Sequence, residues 1–229
     1  MTSGFSFRPL VTPFSMGMEW EALFQQRLPY GYNKFFQITD DASIERTYSD
    51  RNLREYYSRE CVSQPLPPEW LKKEIKRFVK GIGPRYTNES CGVHIHVNRK
   101  VFSKKKLKAI FTFLQSLTAD QYVDAFGRWS TTYAGKHTAP WPGNVDSKYK
   151  ALNLSYKETI EFRMFASKPQ AEWLCYCVDC VVYLIKNAHH LNMDAFFAFV
   201  DANKPQNLPD EVVEKVDHHR ATEVASTEF

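Results

Sequence analysis

The N-terminal part of the chain is patterned with a period of two. Around Met16-Gly17-Met18-Glu19-Trp20-Glu21, apolar and acidic residues alternate. That predicts a strand with Met18 and Trp20 on one face and Glu19 and Glu21 on the other. Asp40-Asp41-Ala42-Ser43 is turn chemistry, and Arg59-Glu60-Cys61-Val62-Ser63-Gln64-Pro65-Leu66 reads as a short strand ended by proline. The period then changes. From Pro68 to Gly81, Leu71, Ile75, Phe78 and Val79 form one helical face, with proline at the start and glycine at the end. Gly92 to Asn98 returns to alternation: Val93, Ile95 and Val97 share the apolar face, His94 and His96 the other.

Ser103 is a fitting N-cap for a helix whose buried stripe is Leu107, Ile110, Phe111 and Leu114. A second helical piece is expected from Ala119 to Trp129. Residues 130–150, with Gly135, Pro140, Pro142, Gly143 and several lysines, read as a long loop. Leu152 to Phe165 predicts a hairpin. Within it Ile160, Phe162 and Met164 are apolar, while Glu161 and Arg163 share the polar face. A long helix from Gln170 to Ala188 and a shorter one from Met193 to Asp201 follow. The segment after Lys204 is polar, with a weak helical pattern near Glu211. Strands come in pairs and do not alternate regularly with helices, so the expected class is α+β with a mainly antiparallel sheet. One domain over residues 1–203 and a polar tail over 204–229 are expected.

Composition narrows the picture. The 229 residues are 43% apolar and 24% charged, which excludes wholesale disorder. A formal net charge of +4 singles out no partner. The densest basic stretch, Lys104-Lys105-Lys106 with Lys108, opens a predicted helix and reads as a solvated face more readily than a nucleic-acid contact. No apolar run approaches the ~20 residues that cross a bilayer, so no membrane partner is expected. The start of the sequence lacks a secretory pattern. Five cysteines, an odd number, point to reduced thiols and a cytoplasmic location. Cys175, Cys177 and Cys180 invite a zinc reading, but Trp173, Cys177, Val181 and Leu184 recur at helical spacing, which favours core thiols.

The polar faces of three predicted strands are unusual. A wet sheet face normally carries Thr, Lys, Ser and Gln. These faces carry Glu19 and Glu21, His94 and His96, and Glu161 with Arg163. Acidic residues are depleted in strands, and carboxylates gathered on one surface repel unless cations balance them. Two readings stand at this level: a solvated face, or a site for Mg²⁺ or Mn²⁺, which favour carboxylate oxygens and tolerate imidazole. Glu60 is a further carboxylate that either joins such a site or is an edge-strand charge.

The motifs in order are Gly17-Met18-Glu19-Trp20-Glu21, Asp41-Ala42-Ser43, Glu60-Cys61-Val62-Ser63-Gln64-Pro65-Leu66, Cys91-Gly92-Val93-His94-Ile95-His96-Val97, Leu152-Asn153-Leu154, and Thr159-Ile160-Glu161-Phe162-Arg163. From about residue 15 to 167 the chain resembles the amidoligase family, carboxylate–amine ligases distantly related to glutamine synthetase and glutamate–cysteine ligase. The resemblance implies a glutamine-synthetase-like, curved, mainly antiparallel sheet flanked by helices and cradling ATP and Mg²⁺ or Mn²⁺. It implies ATP-dependent amide or isopeptide formation through an acyl phosphate, from carboxylate and amine substrates that are small molecules, peptides or proteins. Carried over by position, it implies Glu19, Glu21, Glu60, His94 and Glu161 as metal ligands, His96 as a metal or phosphate contact, and Arg163 as a phosphate-binding residue. Arg163, His96 and Glu60 form the expected catalytic set. Arg128, Lys136, Lys148 and Lys150 compete for the family's second basic, nucleotide-binding position. Two alternatives use the same residues: a metal-dependent hydrolase built on His94, His96 and Glu19, and a non-catalytic ligase-like binding protein.

Overall fold

The computed structural model of the chain describes residues 14–25, 34–44, 56–83, 85–128, 141, 150–209 and 211–212. In chain order the elements are β1 (Met16–Phe24), β2 (Phe36–Asp40), β3 (Tyr57–Ser63), α1 (Pro68–Gly81), β4 (Arg85–Tyr86), β5 (Gly92–Asn98), α2 (Lys104–Ser116), α3 (Ala119–Phe126), β6 (Leu152–Asn153), β7 (Thr159–Ala166), α4 (Ala171–Lys186), α5 (Met193–Asn203) and β8 (Glu211–Val212). The strands form one open, curved sheet in the order β2-β3-β1-β5-β7-β6. The short β4 pairs with the end of β1 and carries β8, and every pairing is antiparallel. Class and sheet type agree with the sequence reading.

The apolar face of the sheet explains its stability. Met16, Met18, Trp20, Ala22 and Phe24 alternate along β1 and join Val93, Ile95, Val97, Ile160 and Phe162 in one buried cluster. Helix α1 lies against β1, α4 against β5 and α3 against β7, each through its apolar stripe. The ring of Phe36 stacks on Phe78 at 4.2 Å, and Trp20 meets Phe78 edge-on at 6.3 Å, so β1, β2 and α1 share one aromatic contact. Cys175, Cys177 and Cys180 are all buried in α4 and pack into this core, as their helical spacing predicts.

Some boundaries differ from the sequence reading. Helix α3 stops at Phe126 because Gly127 caps it with φ 79°, and a Cβ there would come within 2.9 Å of the Trp173 ring. The expected 152–165 hairpin is asymmetric, with only two residues in β6. Glu211 lies in a short strand beside β4, not in a helix; Gln170 Nε2 donates to Pro209 O at 2.7 Å just before it. Most of the expected 130–150 loop, and residues 213–229 of the expected tail, lie outside the described residues.

One buried hydroxyl ties the core to the polar face. Ser167 Oγ accepts from Trp20 Nε1 at 2.9 Å and donates to the backbone carbonyl of Glu21 at 2.6 Å. Replacing Ser167 with Ala leaves both groups buried without that partner. The expected cost is about 1–3 kcal/mol of unfolding free energy, read from the urea midpoint; an unchanged midpoint contradicts it.

Candidate metal centre

Antiparallel register decides which polar side chains meet, because directly opposed residues share a face. Glu19 of β1 lies opposite His94 of β5, and Glu21 lies opposite Glu60 of β3. His96 lies opposite Glu161 of β7, which in turn lies opposite Asn153 of β6. Four strands thus deliver Glu19, Glu21, Glu60, His94, His96 and Glu161 to one patch: the five that alternation in the sequence singles out, and Glu60.

His94 sits at its centre. Its Nδ1 is 3.3 Å from Glu19 Oε2 and 3.6 Å from Glu161 Oε1, while its Nε2 is 3.6 Å from Glu21 Oε1. His96 Nε2 is 3.0 Å from Glu19 Oε1. Two triads share His94: Glu19–His94–Glu161 and Glu21–Glu60–His94, each with ligand atoms within 4.8 Å of one another. Glu161 is fully buried; Asn153 Nδ2 donates to its Oε2 at 2.6 Å and Arg163 Nη1 to its Oε1 at 2.5 Å.

The pairing of β7 is irregular next to Arg163. Ile95 pairs with Phe162 but Val93 pairs with Phe165, so β7 spends three steps where β5 spends two. This bulge lies opposite His94 and lets Met164 and Phe165 both enter the core while Arg163 stays on the polar face. Arg128, which follows the Gly127 cap, closes the bulge: its Nη2 donates to Arg163 O at 2.9 Å and its Nη1 to Cys91 O at 3.2 Å. Gly92 makes room for it. A Cβ at Gly92 would lie 3.0 Å from both Arg128 Nη2 and His94 Nε2. The Gly92 amide instead donates to Glu21 Oε2 at 2.6 Å.

The electrostatics follow from crowding. Burial pushes the Glu60 carboxyl up, and Glu19, Glu21 and Asp41 push it further, to about 8. Burial raises Glu21 as well, against the opposing pull of His94 and Arg128. For Glu19, burial acts upward but the hydrogen bonds from His94 and His96 outweigh it and hold the carboxyl well below the usual range. His96 is raised: burial acts downward, and its contact with Glu19 wins. Burial lowers Arg128, with Glu21 opposing.

The expected second basic position is only partly described. Arg128 is placed on backbone carbonyls, Lys150 lies just ahead of β6, and Lys136 and Lys148 lie outside the described residues. Three contributors went unassigned in the sequence reading: Asn153 beneath Glu161, the Gly92 amide beneath Glu21, and Thr39, whose Oγ1 donates to Glu60 Oε2 at 3.5 Å. A polar residue between Leu152 and Leu154 was the available signal for Asn153. Beside the cluster, with Glu19 and His96 in its wall, is a cavity of about 350 Å³ that also reaches Gly17, Ser63, Asn98 and Thr159. No protein-family model and no curated protein matches the chain. Among the described residues, no helix is long and apolar enough to cross a membrane.

Two outcomes follow from this geometry. The Glu60 carboxyl titrates near 8 in the folded protein, above its unfolded value. Its contribution to stability is therefore complete below the unfolded carboxylate range and is lost as pH rises towards 8. A divalent ion needs the carboxylate, so binding at neutral pH should release a proton. Calorimetric Mn²⁺ titrations in buffers of different ionisation enthalpy should show release that disappears in Glu60→Gln; release unchanged in that variant contradicts the assignment. For Gly92→Ala, the added methyl group displaces Arg128 and His94 by a few tenths of an ångström. Mn²⁺ affinity should fall by about 10–100-fold in a protein that still unfolds cooperatively. Unchanged affinity would show that the close approach is not needed.

Proposed function

We propose that this chain is an ATP-dependent carboxylate–amine ligase whose centre is the cluster on the polar face of its glutamine-synthetase-like sheet. The observation that carries the reading is the convergence of Glu19, Glu21, Glu60, His94 and Glu161 around an imidazole shared by two triads, with one guanidinium, Arg163, at the edge. The donor set fits Mg²⁺ or Mn²⁺: mostly carboxylate oxygens, one or two imidazoles and no thiolate. His94 adjoins both triads, and as a neutral imidazole with one lone pair it would serve an ion in one of them. Bound there, the ions would neutralise the phosphate oxygens and stabilise charge that develops during phosphoryl transfer.

The chain's own residues supply the rest. In the first half-reaction a substrate carboxylate oxygen attacks the γ-phosphorus of ATP, ADP leaves, and an acyl phosphate forms. In the second, an unprotonated amine attacks the acyl carbon, phosphate departs with the C–O bond, and the nitrogen loses its proton. Arg163 presents a planar fork to the transferring phosphoryl group. His96 faces both Glu19 and the adjoining cavity, where it would contact the phosphate end of a bound nucleotide. Asn153 and Arg128 position: the first fixes the Glu161 carboxylate, the second the bulge that carries Arg163.

The test is release of ADP from ATP and Mg²⁺ in the presence of pooled amines and carboxylates, with mass detection of an amide product. Nucleotide-independent cleavage of an ester or amide would favour the hydrolase reading, and ligand binding without turnover the binding-protein reading. Arg163→Lys should stay folded and bind metal but lose about two to three orders of magnitude in turnover, because a point charge cannot replace the fork. Near-normal turnover in that variant removes Arg163 from the catalytic set.

A further inference from the structure

The Glu19–His94–Glu161 triad has a cation on the atoms that would take a metal. Asn153 occupies Glu161 Oε2, which leaves Oε1 as the oxygen that faces His94. That oxygen receives Arg163 Nη1 at 2.5 Å, and the same nitrogen lies 3.4 Å from His94 Nδ1. A divalent ion bonded to Oε1 and Nδ1 at roughly 2.0–2.3 Å on the side this nitrogen occupies would need the same space. Guanidinium and ion therefore exclude each other at these two atoms.

The backbone of Arg163 is held on both sides. Its N donates to Ala151 O at 2.8 Å and its O accepts from Arg128. The strand is thus anchored through main-chain atoms and not through the guanidinium. The Arg163 Cα is two residues from Glu161 on the same face, so an expelled guanidinium stays within reach of anything bound at the triad.

We propose that Arg163 is the resident counter-ion of the Glu19–His94–Glu161 triad, and that a divalent cation entering it expels the guanidinium towards an anionic substrate group. The proposal rests on the metal-centre reading above. Metal loading and arginine release are then one event. The anion-binding fork is occupied until the ion arrives, so an anionic substrate engages Arg163 only after the metal.

Two measurements with Mg²⁺ alone, without nucleotide, test it. Calorimetry compares the wild type with Arg163→Ala. Removing a charge-assisted hydrogen bond that competes with the ion should tighten Mg²⁺ binding by about 10–100-fold. Added guanidinium ion at millimolar concentration should weaken binding to the variant competitively, while tetramethylammonium at equal ionic strength should not. In the wild type, the guanidinium resonance of Arg163 in a ¹⁵N-arginine-labelled sample should move with the same dissociation constant as calorimetry gives. That titration does not depend on the variant folding well. Equal Mg²⁺ affinity in both proteins, no guanidinium competition, or an Arg163 signal unmoved at Mg²⁺ saturation overturns the displacement while leaving the metal centre standing. Absence of Mg²⁺ binding in both proteins overturns the metal centre along with it.

Discussion

Carboxylates of like charge a few ångströms apart repel by about 4 kcal/mol per pair at an effective dielectric near 20. Glu19, Glu21, Glu60 and Glu161 are gathered around His94 on a face where Glu161 has no solvent contact at all. Every other feature of this face answers that repulsion. Asn153 and the Gly92 amide each donate to one carboxylate oxygen, and Arg163 neutralises Glu161 directly. His94 and His96 stand between the carboxylates. A sheet built only for stability would place Thr or Lys at these positions, and their concentration here at a cost to folding is the strongest physical argument for an ion-binding role.

The supports are arranged in series. The Gly127 cap turns the chain out of α3 so that Arg128 reaches the sheet. Arg128 holds the carbonyls of Cys91 and Arg163, which join the start of β5 to the bulge in β7. The bulge lets Phe165 join Met164 in the core, while Arg163 lies on the opposite side by alternation with its neighbours. On the other flank Ser167 bonds Trp20 in the core to the backbone of Glu21. Core packing and site geometry are therefore not separable on β1 and β7. A small apolar group, Leu23 with Ile44, Tyr56 and Cys91, packs near the inner end of β1, where Leu23 shares a face with Glu19 and Glu21.

Much of this was legible in the sequence, for a simple reason. A period of two assigns each side chain to a face, so Glu19 with Glu21, His94 with His96, and Glu161 with Arg163 could be placed from alternation. The helix over Pro68–Gly81 and the strand over Gly92–Asn98 came out at the expected residues because proline, glycine and apolar periodicity agreed there. The bulge was not legible, since residues 159–164 alternate identically whether or not a step is inserted; only adjacent apolar Met164 and Phe165 hinted at it. Arg128 as a clamp was hidden because its partners are main-chain carbonyls, which have no residue type to read. The expected end of α3 lies past the observed one because the helix is capped by a left-handed Gly127 packed against the Trp173 ring.

The two triads balance their charge by different means. In Glu21–Glu60–His94, burial and neighbouring carboxylates push Glu60 up to about 8, so on the proposed reading an ion would displace a proton there. In Glu19–His94–Glu161, the guanidinium of Arg163 stands there instead. The proton leaves to solvent when displaced, and its departure depends on pH. The guanidinium cannot leave, because its backbone is fixed by Arg128 and Ala151. On the proposed reading, one triad would couple ion binding to the bulk proton concentration, and the other to the position of a tethered cation. A lysine at position 163 could supply the charge but not the planar fork that would, on the proposed reading, then grip a tetrahedral anion. If one side chain does both in succession, as proposed, arginine is the fitting residue at this position.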